Sequence, residues 1–334
     1  MRGGADPPPE DLQVIGLCKA GGVRAAMAEA LDGLRYAIVG SRASLLEAIG
    51  GASVLVTSRA GAPRAAVDQE VLQAAGPLRL IQQFGASTDG IDLAEASRRG
   101  IPVAIVPGAN AVAVAELALH LMLCLARRHP SAQGALRAGL LGEPVGTELS
   151  GKRLCIIGFG RVGTCLAIRA KALGMQVAAV DRTPLWGQAG AVGVTVRVGR
   201  AGLLDGLATA DYVVVSAPLL EETLGLLGPA ELARLKPGAK LVNVARAELI
   251  DERALRAALE AGRLGGFAAD VAWQEPIDPS DALLDREDVV LTPHLGGATE
   301  EALRLTARLV RENIDRILRG ELPHDVVNAG IGRA

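Results

Sequence analysis

The sequence predicts an α/β protein of two doubly wound parallel-sheet domains, and three observations carry that expectation. Short apolar runs alternate with helical periodicity along nearly the whole chain, the pattern of a parallel sheet wrapped by crossover helices. At 334 residues the chain exceeds one ordinary core and suits two domains. The alternation also restarts: longer strands begin at Arg153, after a Gly-rich stretch at residues 134–151 that contains Pro144.

In chain order, Met1–Asp11 is rich in Gly and Pro, lacks the apolar run of a signal peptide and reads as a disordered lead-in. Strands are expected at Gln13–Lys19, Tyr36–Val39, Val54–Thr57, Leu80–Gln83 and Val103–Val106, with helical stretches such as Ala65–Ala75 and Leu93–Arg99 between them. Ala111–Ala126 is nearly all apolar but short for a membrane span. It carries Glu116 and His120 a turn apart, costly in lipid, so a buried helix is expected. Residues 134–151 read as a connection or arm. The second set of strands is Arg153–Ile157, Gln176–Asp181, Val194–Val198, Tyr212–Ser216, Lys240–Val244, Phe267–Val271 and Val289–Thr292. An amphipathic helix, Glu300–Arg319, closes the chain, and its pattern lets it pack on either domain.

Composition narrows the function classes. Half the residues are apolar and 22% are charged, the profile of a soluble globular protein. A net charge of −2 argues against nucleic acid and anionic membrane as partners. Cys18, Cys124, Cys155 and Cys165 sit in apolar sequence without CxxC spacing. They read as buried, inert thiols in a reducing, cytoplasmic setting. No His/Cys cluster offers metal ligands.

The strongest local signal is Gly158-Phe159-Gly160-Arg161-Val162-Gly163, which follows an apolar run and opens a helical segment through Leu173. The first glycine permits the tight turn, the second lets backbone approach a pyrophosphate, and the third lets helix and strand pack closely. Asp181 ends the next strand, where an acid accepts hydrogen bonds from ribose hydroxyls. That carboxylate favours NAD(H), because it repels a 2′-phosphate. Arg182 beside it is a group that could partly accommodate NADP.

Of four histidines, His129 and His324 read as solvated and His120 as a satisfied core residue. His294 lies just past an expected strand, in Thr292-Pro293-His294-Leu295-Gly296, where ligands meet open α/β sheets. Arg246 and Glu275 follow the ends of two other strands. Each alone has a bland reading as a surface residue. Together they supply a cation, a proton shuttle and an acid to orient it, the parts needed to reduce a 2-oxo acid.

These blocks, in this order, resemble the D-isomer-specific 2-hydroxyacid dehydrogenase family over residues 12 to about 328: Gly158–Gly163 with Asp181, then Asn243-Val244-Ala245-Arg246, then Asp270-Val271 with Glu275-Pro276, then Thr292-Pro293-His294. The resemblance implies two Rossmann-like domains with a cleft between them. Residues 1–108 and 300–334 would form a discontinuous substrate-binding domain, and residues 109–299 an NAD-binding domain. It implies Arg246 on the substrate carboxylate and carbonyl, His294 as acid/base, and Glu275 paired with His294 to favour its protonated form. Asp270 would sit near the nicotinamide carboxamide. Cofactor contacts are further implied at Ala217, Pro218, Thr223, Val244, Ala245, Arg246, His294 and Gly296. Gly85, Ala86 and Ser87, in the loop Phe84–Gly90, would cradle the substrate carboxylate with backbone N–H groups. Asn110 and Glu116 match the long helix, which with the following arm would help form a homodimer.

The chain departs from the family pattern at Ser87 and Ala247, where Gly is usual, at Leu117, where a His is common, and at Ser216-Ala217-Pro218. The 2-oxo or 2-hydroxy acid is left open among glyoxylate, hydroxypyruvate, 3-phosphoglycerate and longer acids. Arg59 and Arg64 read as solvated surface, with a substrate phosphate as the alternative. Two other uses of the fold stay open: an NAD(H)-sensing, corepressor-like scaffold, and oxidation of phosphite.

Overall fold

The computed structural model describes residues 13–19, 21–58, 66–183 and 186–328, with residues 186–188 described by backbone alone. Met1–Asp11, Arg59 and Arg64 lie outside the described residues. The chain divides into two compact units, Met1–Asn110 with Ala298–Ala334, and Ala111–Gly297.

The first unit contains β1 (Gln13–Leu17), α1 (Gly21–Leu31), β2 (Arg35–Val39), α2 (Arg42–Ala48), β3 (Val54–Thr57), α3 (Gln69–Ala74), β4 (Leu80–Gln83), α4 (Leu93–Arg98) and β5 (Val103–Ala104). Its five strands are parallel in the order β2-β1-β3-β4-β5. β3 and β4 are buried at every position, which is why they read as unbroken apolar or uncharged runs rather than alternating ones. Helices start where a side chain can take an orphan N–H. Ser41, Asp68 and Asp92 cap α2, α3 and α4 by accepting from Ser44, Val71 and Glu95.

The second unit runs α5 (Ala111–Ala126), α6 (His129–Arg137), β6 (Arg153–Ile157), α7 (Arg161–Ala172), β7 (Gln176–Asp181), α8 (Trp186–Val192), β8 (Thr195–Val198), α9 (Gly199–Thr209), β9 (Tyr212–Val215), α10 (Pro229–Arg234), β10 (Lys240–Asn243), α11 (Glu252–Glu260), β11 (Gly266–Ala269) and β12 (Val289–Leu291). Its seven parallel strands order as β12-β11-β10-β9-β6-β7-β8. The winding direction reverses between β6 and β9, the switch point at which doubly wound sheets bind dinucleotides.

Several expected strands stop a residue or two early. Ser216, Val244 and Thr292 still donate to Ile157, Val215 and Ala269, but their chains already turn into the loops that carry the candidate site. α5 differs from the buried helix expected. Ala115, Ala118, Leu121 and Met122 are fully buried, whereas Val112, Glu116, His120 and Leu123 form an exposed stripe. A helix lying on a sheet has an outer side, and Glu116 and His120, a turn apart, mark it in an otherwise apolar run. His120 is therefore exposed rather than a core residue, with its Nε2 3.4 Å from Cys124 Sγ. Cys165 is likewise half-buried rather than buried. The expected arm begins as helix: Arg128 takes φ 51, and Pro130 stands at the start of α6.

The last element, α12 (Glu300–Leu318), belongs to the first unit. It buries Ala307, Val310, Ile314 and Ile317 among Val14, Met27, Val54 and Leu80. From α12, buried Asn313 donates to Gln82 Oε1 on β4 at 2.8 Å and accepts the His324 N–H at 2.7 Å. The chain then lies antiparallel along β5, with Val327 N–H donating to Val103 at 2.9 Å, which covers that sheet edge.

Candidate active site

In the second unit the loop between β6 and α7 is shaped by its glycines. Gly158 has φ 93, and a Cβ there would lie 2.5 Å from Ala217 N, so only glycine passes under the β9 loop. Ser216 fastens the same crossing by donating its hydroxyl to Gly158 O at 2.8 Å. A Cβ on Gly163 would lie 2.3 Å from Gly158 O. A Cβ on Gly160 would meet nothing within 4 Å. The three glycines thus divide into two that the fold needs and one that faces open space at the N-terminus of α7.

Asp181 ends β7 beside this loop. Its Oδ2 accepts the Phe159 N–H at 2.7 Å and its Oδ1 the Thr183 N–H at 3.2 Å. Arg182 is ion-paired with Glu222. Arg161 is exposed, and Val162 packs against the sheet core. Ala217 and Pro218 follow β9. The Thr223 hydroxyl, placed among the cofactor contacts by sequence, is committed inside its own turn, donating to Pro218 O and accepting the Leu220 N–H.

Arg246, the Asp270–Glu275 segment and His294 follow three neighbouring strands, β10, β11 and β12. Val244 and Ala245 lead into Arg246 through a turn held by Asn243, which is 1% exposed. The Asn243 side chain donates to Arg246 O at 2.8 Å and accepts the Ala245 N–H at 3.0 Å. Sequence reasoning did not single out Asn243 as a site residue. The available signal was a polar residue inside an apolar strand run.

Asp270 is 3% exposed and organises the next loop. Its Oδ1 accepts from Thr292 Oγ1 at 2.6 Å and from Leu295 N–H at 2.7 Å, and its Oδ2 accepts from Gly296 N–H at 2.7 Å. A Cβ on Gly296 would come within 2.9 Å of that Oδ2, so glycine permits the approach. Burial pushes the Asp270 carboxyl above its ordinary value, against the opposing pull of these donors and of His294. The loop so gripped carries His294 at φ 56, an unusual conformation for a side-chain-bearing residue. His294 Nδ1 lies 3.1 Å from Glu275 Oε2, and Glu275 Oε1 also accepts the Ala272 N–H at 3.2 Å. A carboxylate at Nδ1 orients the ring and leaves Nε2 as the nitrogen facing outward.

In the first unit the loop after β4 begins at buried Phe84. Gly85 has φ 154 with no neighbour near its Cβ position. The Gly85 carbonyl accepts Val106 N–H at 2.8 Å. Ser87 Oγ accepts the Asp89 N–H at 3.1 Å, so the hydroxyl that departs from the family glycine closes its own turn. Among the described residues no acceptor takes the N–H groups of Gly85, Ala86 or Ser87.

A doubly wound sheet with a glycine loop at its switch point, and with Arg, Glu and His beyond adjacent strands, defines an α/β protein of the dinucleotide-binding class. Residues 119–296 match the model for the NAD binding domain of D-isomer specific 2-hydroxyacid dehydrogenases. The chain belongs to the D-isomer specific 2-hydroxyacid dehydrogenase family. It is 37% identical over 268 residues to a glyoxylate reductase of Korarchaeum cryptofilum, covering 78% of this chain and 80% of that protein. It is 38% identical over 264 residues to a D-3-phosphoglycerate dehydrogenase of Archaeoglobus fulgidus, of which it spans only 49%. A solved glyoxylate reductase from Paecilomyes thermophila superposes with a TM-score of 0.80 at 29% identity, over 93% of this chain and 97% of that one.

Proposed function

We propose that this chain is an NAD-dependent 2-hydroxyacid dehydrogenase, interconverting a small 2-oxo acid and its 2-hydroxy acid. The observation that carries the reading is the His294–Glu275 pair at 3.1 Å, on the sheet whose switch point holds the open face of Gly160. NAD(H) fits the donor set: the free N-terminus of α7 suits a pyrophosphate and Asp181 suits ribose hydroxyls. When bound, it supplies or accepts the hydride.

The protein's own residues do the rest. Arg246 neutralises the substrate carboxylate and polarises the carbonyl with a planar, two-pronged donor. His294 Nε2 delivers a proton to the carbonyl oxygen in reduction and removes it in oxidation. Glu275 holds the ring at Nδ1 and so fixes its orientation. In the first unit, which serves substrate binding, the N–H groups of Gly85, Ala86 and Ser87 offer a nest to the carboxylate. Asp181, whose carboxylate would repel a 2′-phosphate, supports NAD(H) over NADP(H).

Self-association through the arm is part of the same reading. Leu136, Leu140, Leu141 and Val145 are 69%, 52%, 94% and 81% exposed, an apolar run suited to a second copy of the chain. Four cysteines outside any disulfide support a reducing, cytoplasmic setting, and no described helix is long and apolar enough to cross a membrane.

The test is a panel of 2-oxo acids with NADH, following loss of nicotinamide absorbance, for the parent and His294→Ala. Turnover should fall by about a hundredfold or more in the variant, with NADH affinity kept. Tight NADH binding without turnover on any acid would instead favour a sensing scaffold.

A further inference from the structure

We propose that Glu222 sets the cofactor selectivity of this chain, by holding Arg182 in an ion pair and so keeping its guanidinium from a 2′-phosphate. The proposal rests on the dinucleotide reading above and concerns a residue which that reading does not use.

Arg182 follows Asp181 directly, and in an isolated sequence it looks like a ready partner for the 2′-phosphate of NADP. The structure gives the guanidinium a partner within the protein. Asp181 is turned to the Phe159 and Thr183 N–H groups, which leaves Arg182 to seek a carboxylate elsewhere. It finds Glu222, in the short turn Glu221–Thr223 after β9. β9 and β7 lie on opposite sides of β6, so the pair joins the two loops that flank Gly158–Gly163. The turn presenting Glu222 is ordered by Thr223, whose hydroxyl accepts the Leu220 N–H at 2.7 Å and donates to Pro218 O at 2.8 Å. This gives the buried Thr223 hydroxyl a purpose: it fixes the turn that presents the acid.

The charge balance then decides the ligand. Asp181 adjoins Arg182 in the chain and Glu221 adjoins Glu222, so two further carboxylates lie close to the pair along the backbone. A 2′-phosphate would have to take Arg182 from Glu222 and also face the remaining carboxylates. Ribose hydroxyls meet neither demand. Both partners of the pair are exposed, 64% and 59%, so solvent screens it and the selectivity it contributes is about fivefold rather than hundreds.

Equilibrium binding tests this without turnover, by titrating NADH and NADPH fluorescence with the parent, Glu222→Gln, Arg182→Gln and the double variant. Glu222→Gln should tighten NADPH about fivefold and leave NADH within about twofold. Adding Arg182→Gln should abolish the gain, because the freed guanidinium is its source. A gain that survives in the double variant, or an equal change for both nucleotides, overturns the proposal. So does unchanged NADPH binding in Glu222→Gln with NADH binding intact, and that result leaves the dinucleotide reading standing. A parent that binds neither nucleotide overturns that reading, and the role of Glu222 with it.

Discussion

Replacing Gly160 and Gly163 by Ala, one at a time, separates a glycine kept for a ligand from one kept for the fold. At Gly163 the new Cβ would sit 2.3 Å from Gly158 O and 3.3 Å from Ile156 Cγ2. One of these is backbone, and the loop must yield by about an ångström, at about 1–3 kcal/mol for an overpacked site. The better helix propensity of Ala returns up to about 1 kcal/mol of this. At Gly160 the backbone, φ −78 and ψ −156, is open to any residue, and no atom lies within 4 Å. Ala is a poorer N-cap than Gly by about half a kcal/mol, roughly offset by the freedom Ala removes from the unfolded chain. Gly160→Ala should therefore unfold in urea within about 0.5 kcal/mol of the parent, while Gly163→Ala loses about 1–2 kcal/mol. NADH binding should reverse the ranking of interest. The Gly160 methyl occupies the space proposed for the pyrophosphate, and a fluorescence titration should show affinity at least about tenfold weaker in a fully folded protein. Parent-like NADH affinity in Gly160→Ala would refute the assignment of this loop.

Asp270→Asn keeps the shape but confronts an N–H with an amide group where a carboxylate oxygen stood. Leaving one buried donor unmet costs about 1–3 kcal/mol, partly offset because the neutral side chain no longer buries a charge, so turnover should suffer more than stability. Unfolding curves and kcat measured together would expose the opposite ranking. Glu275→Gln retains a hydrogen-bonding group at His294 Nδ1 but removes the carboxylate that faces the ring. Reduction should slow by about tenfold or more with NADH affinity unchanged, and parent-level reduction would break the pairing. Acid should weaken the fold through the Arg256 pair. Arg256 binds Asp281 in two-pronged fashion at 2.9 and 2.7 Å and holds that carboxyl below its ordinary range. A depressed carboxylate stabilises the fold above its unfolded-state pKa, and this is lost as pH falls through the folded value. Between about pH 5 and about pH 3 the thermal midpoint of the parent should drop by about 2–4 °C more than that of Arg256→Gln, and parallel curves would remove the pair from the account.

How far the site could be read in advance follows from what each residue answers to. Gly158, Asp181, Arg246, Glu275 and His294 were legible because each stands at or beyond the end of an apolar strand, where a glycine or a charged or polar residue interrupts a regular pattern. Asn243 and Asp270 were harder. Asn243 grips its own turn two and three residues on, and only its polarity within an apolar run marks it, whereas the donors to Asp270 lie in a loop that the fold brings alongside. Strand ends were overread at Ser216, Val244 and Thr292 for a related reason, since apolar composition continues past the point where the chain turns.

The sequence by itself determined the periodicities, and with them the two sheets, the glycine loop and the order of the polar strand ends. Burying an apolar face is a local demand that each segment states in its own residues. Tertiary structure decided that α12 returns to the first unit, and that Arg182 belongs to Glu222. Those outcomes depend on partners remote in the chain, and a side chain's charge or polarity does not name the partner it will meet.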